Sequence, residues 1–410
     1  MTTAAATALP VSSSSSGRQQ RQQQSVIIDT DPGVDDAIAL LFAFLSPSID
    51  VRALTLVQGN TNVQKCLRNV KQILSVQAAH ERFLAKTAAG DSIHLHPGSL
   101  VNREHPVVIA LGQGKPLEGE ATFAEYYHGS DGLGNYFTEQ APPDSQSAAV
   151  ADAAHAAGVT SSDEASAEGL YALSTRVAED EIIHQLETNP AGTIAIVAVG
   201  PLSNVARAIK KNPEVMKRAK AIYTMGGAIN VPGNITPLAE FNWYADPLAA
   251  HILIASSLPV YVLPLDVTTV SSVVESEYLI SHALPLHSPL SDFVVQITNY
   301  VLDLTERQWG SRFLTMHDPL TVGALVDPTL ITFEPLDFQV EPAGEFSKAF
   351  CVVDRRMLPF AGAVGGADAD SGPKKRTNIN VAVKGDTRKF LKMFYHTLFG
   401  LDWDQIKPEC

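Results

Sequence analysis

Short apolar, β-branched runs recur along the chain, and most end on polar residues or glycine. Val26-Ile27-Ile28 runs into Asp29, and Val51 to Val57 into Gln58-Gly59-Asn60. Val107 to Leu111 is a third run. Thr193 to Val199 leads into Gly200-Pro201, Ala221 to Met225 into Gly226-Gly227, and Leu258 to Leu263 closes the series. Helical patterns lie between them: Val34 to Phe44, about residues 62 to 79, and a segment starting near Leu202. Continuous apolar runs of this length fit strands buried on both faces of a parallel sheet. Their alternation with helices predicts βαβ units, hence an α/β fold with an open, mostly parallel sheet flanked by helices and a Rossmann-like core. In such sheets ligands bind outside the carboxyl ends of the strands. The segments Asp29 to Asp36, Gln58 to Asn60, Val199 to Asn204 and Gly226 to Asn234 are therefore expected to meet at one crevice.

Three stretches break the pattern. Residues 1–24 are Thr, Ala, Ser and Gln with Arg18 and Arg21, which reads as a disordered low-complexity tail. A transit peptide is the rival reading, since the tail is Ser-rich, carries arginines and lacks acidic residues. Residues 140–169 are mostly Ala, Ser, Asp and Glu, and no Lys or Arg occurs between Pro116 and Thr175. This is expected to be a mobile acidic insertion. Residues 361–373 read as a second flexible loop. Strand-like sequence resumes beyond both, so residues 25–410 are taken as one domain.

Composition narrows the partners. The 410 residues are 45% apolar and 18% charged, and 30 Lys and Arg against 44 Asp and Glu give a net charge of −14. Nucleic acids and anionic membranes need a basic footprint, so neither is expected as partner. A small neutral ligand or a cation fits better. Cys66, Cys351 and Cys410 are too few and too scattered for a disulfide framework or a CxxC zinc site. With no apolar run of about 18 residues and no secretory leader pattern, a reducing, cytoplasmic setting is expected.

Candidate chemistry concentrates after the first run. Asp29-Thr30-Asp31-Pro32-Gly33-Val34-Asp35-Asp36 puts four carboxylates in eight residues. Like charges so close repel unless a cation compensates them. A hard cation such as Ca²⁺, which accepts six to eight oxygens in irregular geometry, is the natural partner. Pro32-Gly33 turns the chain, so Asp31 and Asp36 can face one point. An EF-hand is excluded: Gly33 is fifth from Asp29 and the twelfth position is Leu40, not Glu. Simple helix capping and an aspartyl-phosphate phosphatase remain rivals at this loop.

Further along, Asn234, Glu240, Asn242 and Asp246 form a polar cluster suited to sugar hydroxyls, because carboxamides donate and accept while carboxylates accept. His317-Asp318 offers another oxygen ligand and a group able to handle a proton. Tyr126-Tyr127-His128-Gly129-Ser130-Asp131-Gly132-Leu133-Gly134 resembles a mobile flap more than a phosphate cradle. The other ten histidines read as scattered surface or structural residues.

Taken in order, these blocks resemble the inosine–uridine preferring nucleoside hydrolases, the calcium-dependent ribohydrolases. The match spans about residues 26 to 404, apart from the insertions. It rests on DTDPGVDDAIAL at 29–40, VQGN at 57–60, KPL at 115–117, YHGSDGLGN at 127–135, VGPLSNVA at 199–206, MGG at 225–227, GN at 233–234, AEFNWYADPLAA at 239–250 and HDPL at 317–320. A phosphatase has no account of the later blocks. The resemblance implies the nucleoside hydrolase fold and a Ca²⁺ ion held by Asp31, Asp36, Asp318 and the backbone carbonyl of Val199. Asp29 would orient the loop from behind. Asp31 also matches the general base for the attacking water, activated beside the Ca²⁺. Asp35, Asn60, Asn234, Glu240 and Asn242 match residues that grip ribose hydroxyls. His317 matches a catalytic histidine near the leaving base, and His128 one on the flap.

The implied reaction cleaves the N-glycosidic bond of a ribonucleoside, with uridine or inosine favoured, to free base and ribose for salvage or catabolism. It passes through an oxocarbenium-like ribosyl cation, which carboxylates and amide oxygens stabilise as charge develops. One activated water and no assigned nucleophilic carboxylate imply a single displacement with inversion. Departures from the family pattern are mild at Thr30, where Cys is frequent, and at Ser203, where Thr is common. The base pocket is where the family varies. Asn299 to Met316 should contribute Tyr300, Gln308, Trp309 and Arg312, with Trp309 either stacking on a base or packing its helix on the core. The overall pattern is similar to eukaryotic uridine-cleaving members, and the family's habits suggest a homodimer or homotetramer. The alternative is a catalytically silent calcium- or ribose-binding protein of the same fold. It is disfavoured because every carried-over position keeps its side chain.

Overall fold

Val26, Ile27 and Ile28 are all buried, and they face alternate sides of a central sheet, as successive strand residues must. Val26 and Ile28 enter one apolar cluster and Ile27 the other. Along a second central strand Ala195 and Val197 join the first cluster while Ile194 and Ile196 join the second. A strand that must fill a core on both faces has no use for polar alternation, which is why these runs are continuously apolar.

The computed structural model describes residues 23–87, 96, 98–139, 169–355 and 376–407. The tail up to residue 22, nearly all of the 140–169 insertion and the whole 361–373 loop lie outside the described residues. In chain order the strands are β1 (Gln24–Thr30), β2 (Ile49–Leu56), β3 (Val107–Leu111), β4 (Tyr171–Leu173), β5 (Ile194–Ala198), β6 (Ile222–Met225), β7 (Val260–Leu263), β8 (Val273–Glu275), β9 (Phe313–Thr315), β10 (Ile331–Pro335), β11 (Phe338–Val340), β12 (Cys351–Val353) and β13 (Ile379–Gly385). β1 begins one residue inside the expected tail, where Gln24 N donates to Ser48 O at 2.8 Å.

Nine strands make one sheet in the order β10-β13-β7-β6-β5-β1-β2-β3-β4. Every pairing in it is parallel except β10 with β13. The expected α/β architecture is therefore the observed one. Helices Val34–Leu45, Val63–Thr87, His317–Val326 and Thr387–Phe399 cover the first face, and Ala178–Thr188, Ser203–Lys211 and Pro247–Ala255 the second. The helix expected over 62–79 runs on to Thr87.

Strand order reverses between β1 and β5, because β1 leads to β2 on one side while β5 lies on the other. That reversal is the topological switch point, where α/β sheets open a crevice at the strand ends. The small pairing of β8 with β9 adds one feature that matters below. It sets Val273 opposite Thr315, and Met316 N donates to Ser272 O at 2.9 Å, so the helix Leu265–Ser271 lies against the start of helix His317–Val326.

Candidate active site

The switch point carries the acidic loop. Asp36, in the first turn of helix Val34–Leu45, closes it on itself. Its Oδ1 accepts from Thr30 Oγ1 at 2.6 Å and Asp31 N at 3.2 Å; its Oδ2 accepts from Gly33 N at 3.0 Å and Asn60 Nδ2 at 2.8 Å. Thr30, the departure noted in the sequence, thus supplies a hydroxyl to Asp36. Asp31 is held from one side only. Its Oδ2 accepts from Asn60 N at 2.7 Å, while its Oδ1 is buried without a hydrogen-bond partner.

Two glycines make room for that carboxylate. A Cβ on Gly59, beyond β2, would press on Asp31 Oδ2, and one on Gly200, beyond β5, would press on Asp31 Oδ1 and Val57. Gly200→Ala is therefore expected to displace Asp31 and lower kcat at least about tenfold, with a thermal melt to show that the fold persists. An unchanged kcat would mean that the loop absorbs the methyl.

Asp35, Asp36 and Asp318, all buried, bring carboxylate oxygens within 4.8 Å of one another. Asp31 lies outside that trio, but its backbone N donates to Asp36 Oδ1 and its charge bears on Asp318. Among the described residues no Lys or Arg forms a salt bridge with any of these four or with Asp29. Burial accordingly pushes all five carboxyls up, Asp29 to about 7 and Asp35 to about 8. For Asp318 the charges of Asp35, Asp36 and Asp31 add to the same effect. Hard oxygen donors, excess negative charge and an unpartnered Asp31 oxygen fit a divalent cation. The expected ligand set was Asp31, Asp36, Asp318 and the Val199 carbonyl, with Asp35 reserved for ribose. The structure places Asp35 in the acidic group itself. The Val199 carbonyl accepts from Asn242 Nδ2 at 2.7 Å, which leaves one of its two lone pairs.

Asp29 sits behind the loop, where its Oδ1 accepts from Thr55 Oγ1 at 2.5 Å and Asn204 Nδ2 at 2.9 Å. Glu240 caps helix Phe241–Ala245: Oε1 accepts from Asn242 N at 2.7 Å, and Oε2 from Gly227 N at 3.0 Å and Trp243 N at 3.1 Å. Burial raises its pKa to about 7. The expected sugar contact is thus also the cap that joins the ends of β6 and this helix. Asp246 likewise caps the next helix, Pro247–Ala255, and accepts from Ser203 Oγ at 2.6 Å. Asn234 is exposed, and its Oδ1 accepts from Phe241 N at 2.9 Å.

Both singled-out histidines are held at Nδ1. His128 Nδ1 accepts from Val34 N at 3.1 Å, so the flap is fastened to the start of the helix that follows the acidic loop. His317 Nδ1 lies 2.8 Å from Thr268 Oγ1. Burial lowers His128 to about 3, with His317 as a second cause, and lowers His317 to about 4. Both rings are neutral near pH 7. Trp309 needs correction on both expected readings. It is the last residue of helix Pro289–Trp309 and 71% exposed, neither packed on the core nor seated in a pocket of this chain. Arg312 is turned to that helix, donating to Asp303 at 2.6 Å and Glu306 at 3.0 Å. Sequence reasoning missed Thr55 and Thr268. Neither carries a local signal, and they lie 26 and 49 residues from the partners they serve.

A parallel sheet with buried carboxylates and carboxamides at its switch point defines an enzyme for a small polyhydroxylated substrate, with an acidic pocket able to hold a metal ion. Residues 26–392 match the model of the inosine-uridine preferring nucleoside hydrolases, and the chain belongs to that family. It is 31% identical over 321 residues to a probable uridine nucleosidase 1 of Oryza sativa subsp. japonica, covering 78% of this chain and 82% of that one. It is 31% identical over 335 residues to the pyrimidine-specific ribonucleoside hydrolase RihA of Escherichia coli, covering 81% and 89%. Among solved structures it is similar to the purine-preferring ribonucleoside hydrolase from Gardnerella vaginalis, with a TM-score of 0.69, 25% identity, and 92% and 98% of the two chains covered. The chain is an N-glycosidase that hydrolyses the N-glycosidic bond of ribonucleosides. No helix among the described residues is long and apolar enough to cross a membrane.

Proposed function

We propose that this enzyme is Ca²⁺-dependent, releases ribose by a single inverting displacement with Asp31 as general base, and prefers uridine. The observation that carries the reading is Asp31 Oδ1, a buried carboxylate oxygen without a partner, in a residue whose backbone N donates to Asp36, itself one of the grouped Asp35, Asp36 and Asp318 carboxylates. Asp31, Asp36, Asp318 and the Val199 carbonyl would hold the ion, with Asp35 at the same pocket. Bound there, Ca²⁺ would acidify a water and clamp ribose hydroxyls.

The chain's own residues supply the rest. Asn60 N holds Asp31 Oδ2, so the carboxylate cannot turn away and Oδ1 is the atom that receives the water's proton. Asn60 also fixes Asp36 through its amide, so one side chain sets the spacing between base and ion site. Asn234, with Oδ1 engaged, keeps its amide hydrogens for a sugar hydroxyl. Glu240, ionised, lends negative charge as the ribosyl cation develops. The preference for uridine follows the rice and Escherichia coli relatives, whose names specify uridine and pyrimidines. The same reading makes the enzyme cytoplasmic, in keeping with the free thiols of Cys66 and Cys351, and a homodimer or homotetramer.

The test is free ribose released from uridine, cytidine, inosine, adenosine and guanosine, with Ca²⁺ and after thorough chelation. Release that is fastest from uridine and lost on chelation is expected. Faster release from inosine would overturn the base preference. No release from any of them by folded, calcium-replete protein would leave the silent binding protein.

A further inference from the structure

Thr268 lies in helix Leu265–Ser271, is fully buried, and belongs to none of the motif blocks. Its neighbour Thr269 donates its hydroxyl to Leu265 O at 2.6 Å, the ordinary bond of a helical threonine to the preceding turn. Thr268 does not follow it. Among the described residues its hydroxyl has one hydrogen-bond partner, Nδ1 of His317 at 2.8 Å. We propose that Thr268 is a positioning residue for glycosidic cleavage: its hydroxyl donates to His317 Nδ1 and holds the imidazole in the tautomer that carries its proton on Nε2.

The direction of that bond follows from hydrogen-bond accounting. If Nδ1 carried the proton, Thr268 would accept it, and its own hydroxyl hydrogen would be a buried donor with no acceptor, which is costly. With the hydroxyl as donor, both groups are satisfied and Nε2–H of this half-buried residue is left free to donate. His128 supports the same arrangement independently. Its Nδ1 receives a backbone N–H from Val34, a donor that cannot reverse, so its proton also sits on Nε2. The two rings are near enough to influence each other's charge. The site therefore presents a pair of neutral imidazole donors.

The inference rests on the hydrolase reading, in which His317 meets the departing base, and adds the residue that sets its tautomer. The water oxygen bonds to C1′ and its proton goes to Asp31. The C1′–N bond breaks and its electron pair leaves with the base. Nε2–H of His317 donates a hydrogen bond to that developing anion and keeps its proton. The base takes a proton from solvent after release. The ligand class is thus a heterocycle with an acceptor near its glycosidic nitrogen, such as the carbonyl oxygen of a pyrimidine.

Thr268→Val and Thr268→Ser test this on the calcium-replete full chain with two substrates. Uridine needs help for its leaving group, whereas 4-nitrophenyl riboside expels a stable anion without it. Thr268→Val is expected to lower kcat on uridine about 10- to 100-fold, as for other partners that orient a histidine. KM should stay within about twofold, the aryl riboside rate should hold, and Thr268→Ser should restore uridine cleavage. Equal losses on both substrates would mean a structural role and overturn the proposal, as would an unchanged uridine rate. In wild-type protein, ¹⁵N imidazole spectra should show His317, identified by the resonance missing in His317→Asn, with Nδ1 unprotonated and Nε2 protonated. The opposite tautomer overturns the proposal without reference to activity. If wild-type protein releases ribose from no nucleoside, the hydrolase reading fails, and the spectrum still decides what Thr268 does to the ring.

Discussion

Asp31→Asn is expected to lower kcat on uridine by about 10³-fold or more, toward the upper end of what a general base contributes, with little loss of folded structure. The amide oxygen can keep the bond from Asn60 N that Asp31 Oδ2 accepts now. The amide nitrogen then takes the place of Oδ1, the oxygen without a partner, and cannot receive a proton. The change also removes one negative charge from the ion pocket, so Ca²⁺ should bind more weakly and the variant should need more of it. Stability should move the other way in chelator. Burial and the Asp36 charge raise the Asp31 pKa, so ionised Asp31 costs the ion-free fold free energy that a neutral amide does not. Steady-state rates across a Ca²⁺ series, with thermal melts in chelator, check both halves. A kcat within tenfold of wild type at saturating Ca²⁺ would remove Asp31 from the role of base. A collapse of the melt would show that its charge holds the loop together.

The same loop shows how far the sequence alone reaches. The strands that build the crevice were legible because each is buried on both faces and so reads as an unbroken apolar run ending in polar residues. β4 and β10, at the edges of the sheet, were not, since an edge strand carries a weaker apolar signal: Thr332, Glu334 and Pro335 stand in β10. The antiparallel pairings of β8 with β9 and β11 with β12 join residues 38 and 11 positions apart at their nearest paired ends, and no local pattern announces them. In the site, charge density marked Asp31 and Asp36, and the local turn that brings them together is written in Pro32-Gly33. What the sequence does not show is the set of contacts that hold these side chains in place. Glu240 draws its three bonds from backbone N–H groups, and Asn242 turns its amide to Val199, 43 residues away. Those contacts depend on where β5 and β6 end in space. Trp309 was misread for a related reason. An indole beside the base-pocket segment suits stacking, yet its place at the end of a long helix carries it into solvent.

In chelator the melting temperature is expected to fall as pH rises from about 5 to about 8, and saturating Ca²⁺ should flatten the curve. The sign follows from proton linkage. Unfolded, these carboxyls titrate near 4; folded, Asp29 and Glu240 are raised to about 7 and Asp35 to about 8, with Asp31, Asp36 and Asp318 raised as well. Between the two ranges the folded state binds more protons than the unfolded state, so stability must drop with increasing pH, by about 1.4 kcal/mol per pH unit for each extra proton held. It is fully present below the unfolded values and lost as pH passes the folded ones. Even one or two such protons across two units amount to about 3–6 kcal/mol, or roughly 5 °C or more in a chain of this size. The ion binds the deprotonated form and so removes the penalty at Asp31, Asp35, Asp36 and Asp318, while Asp29 and Glu240 keep theirs and leave a shallow residual slope. The Ca²⁺-induced rise in melting temperature should therefore grow with pH, because the competing protons have gone. Melts at pH 5, 6, 7 and 8 in chelator and in millimolar Ca²⁺ decide the matter. Two parallel curves would mean that the ion does not sit on the buried carboxylates, and the acidic pocket would then have to be neutral in the working enzyme.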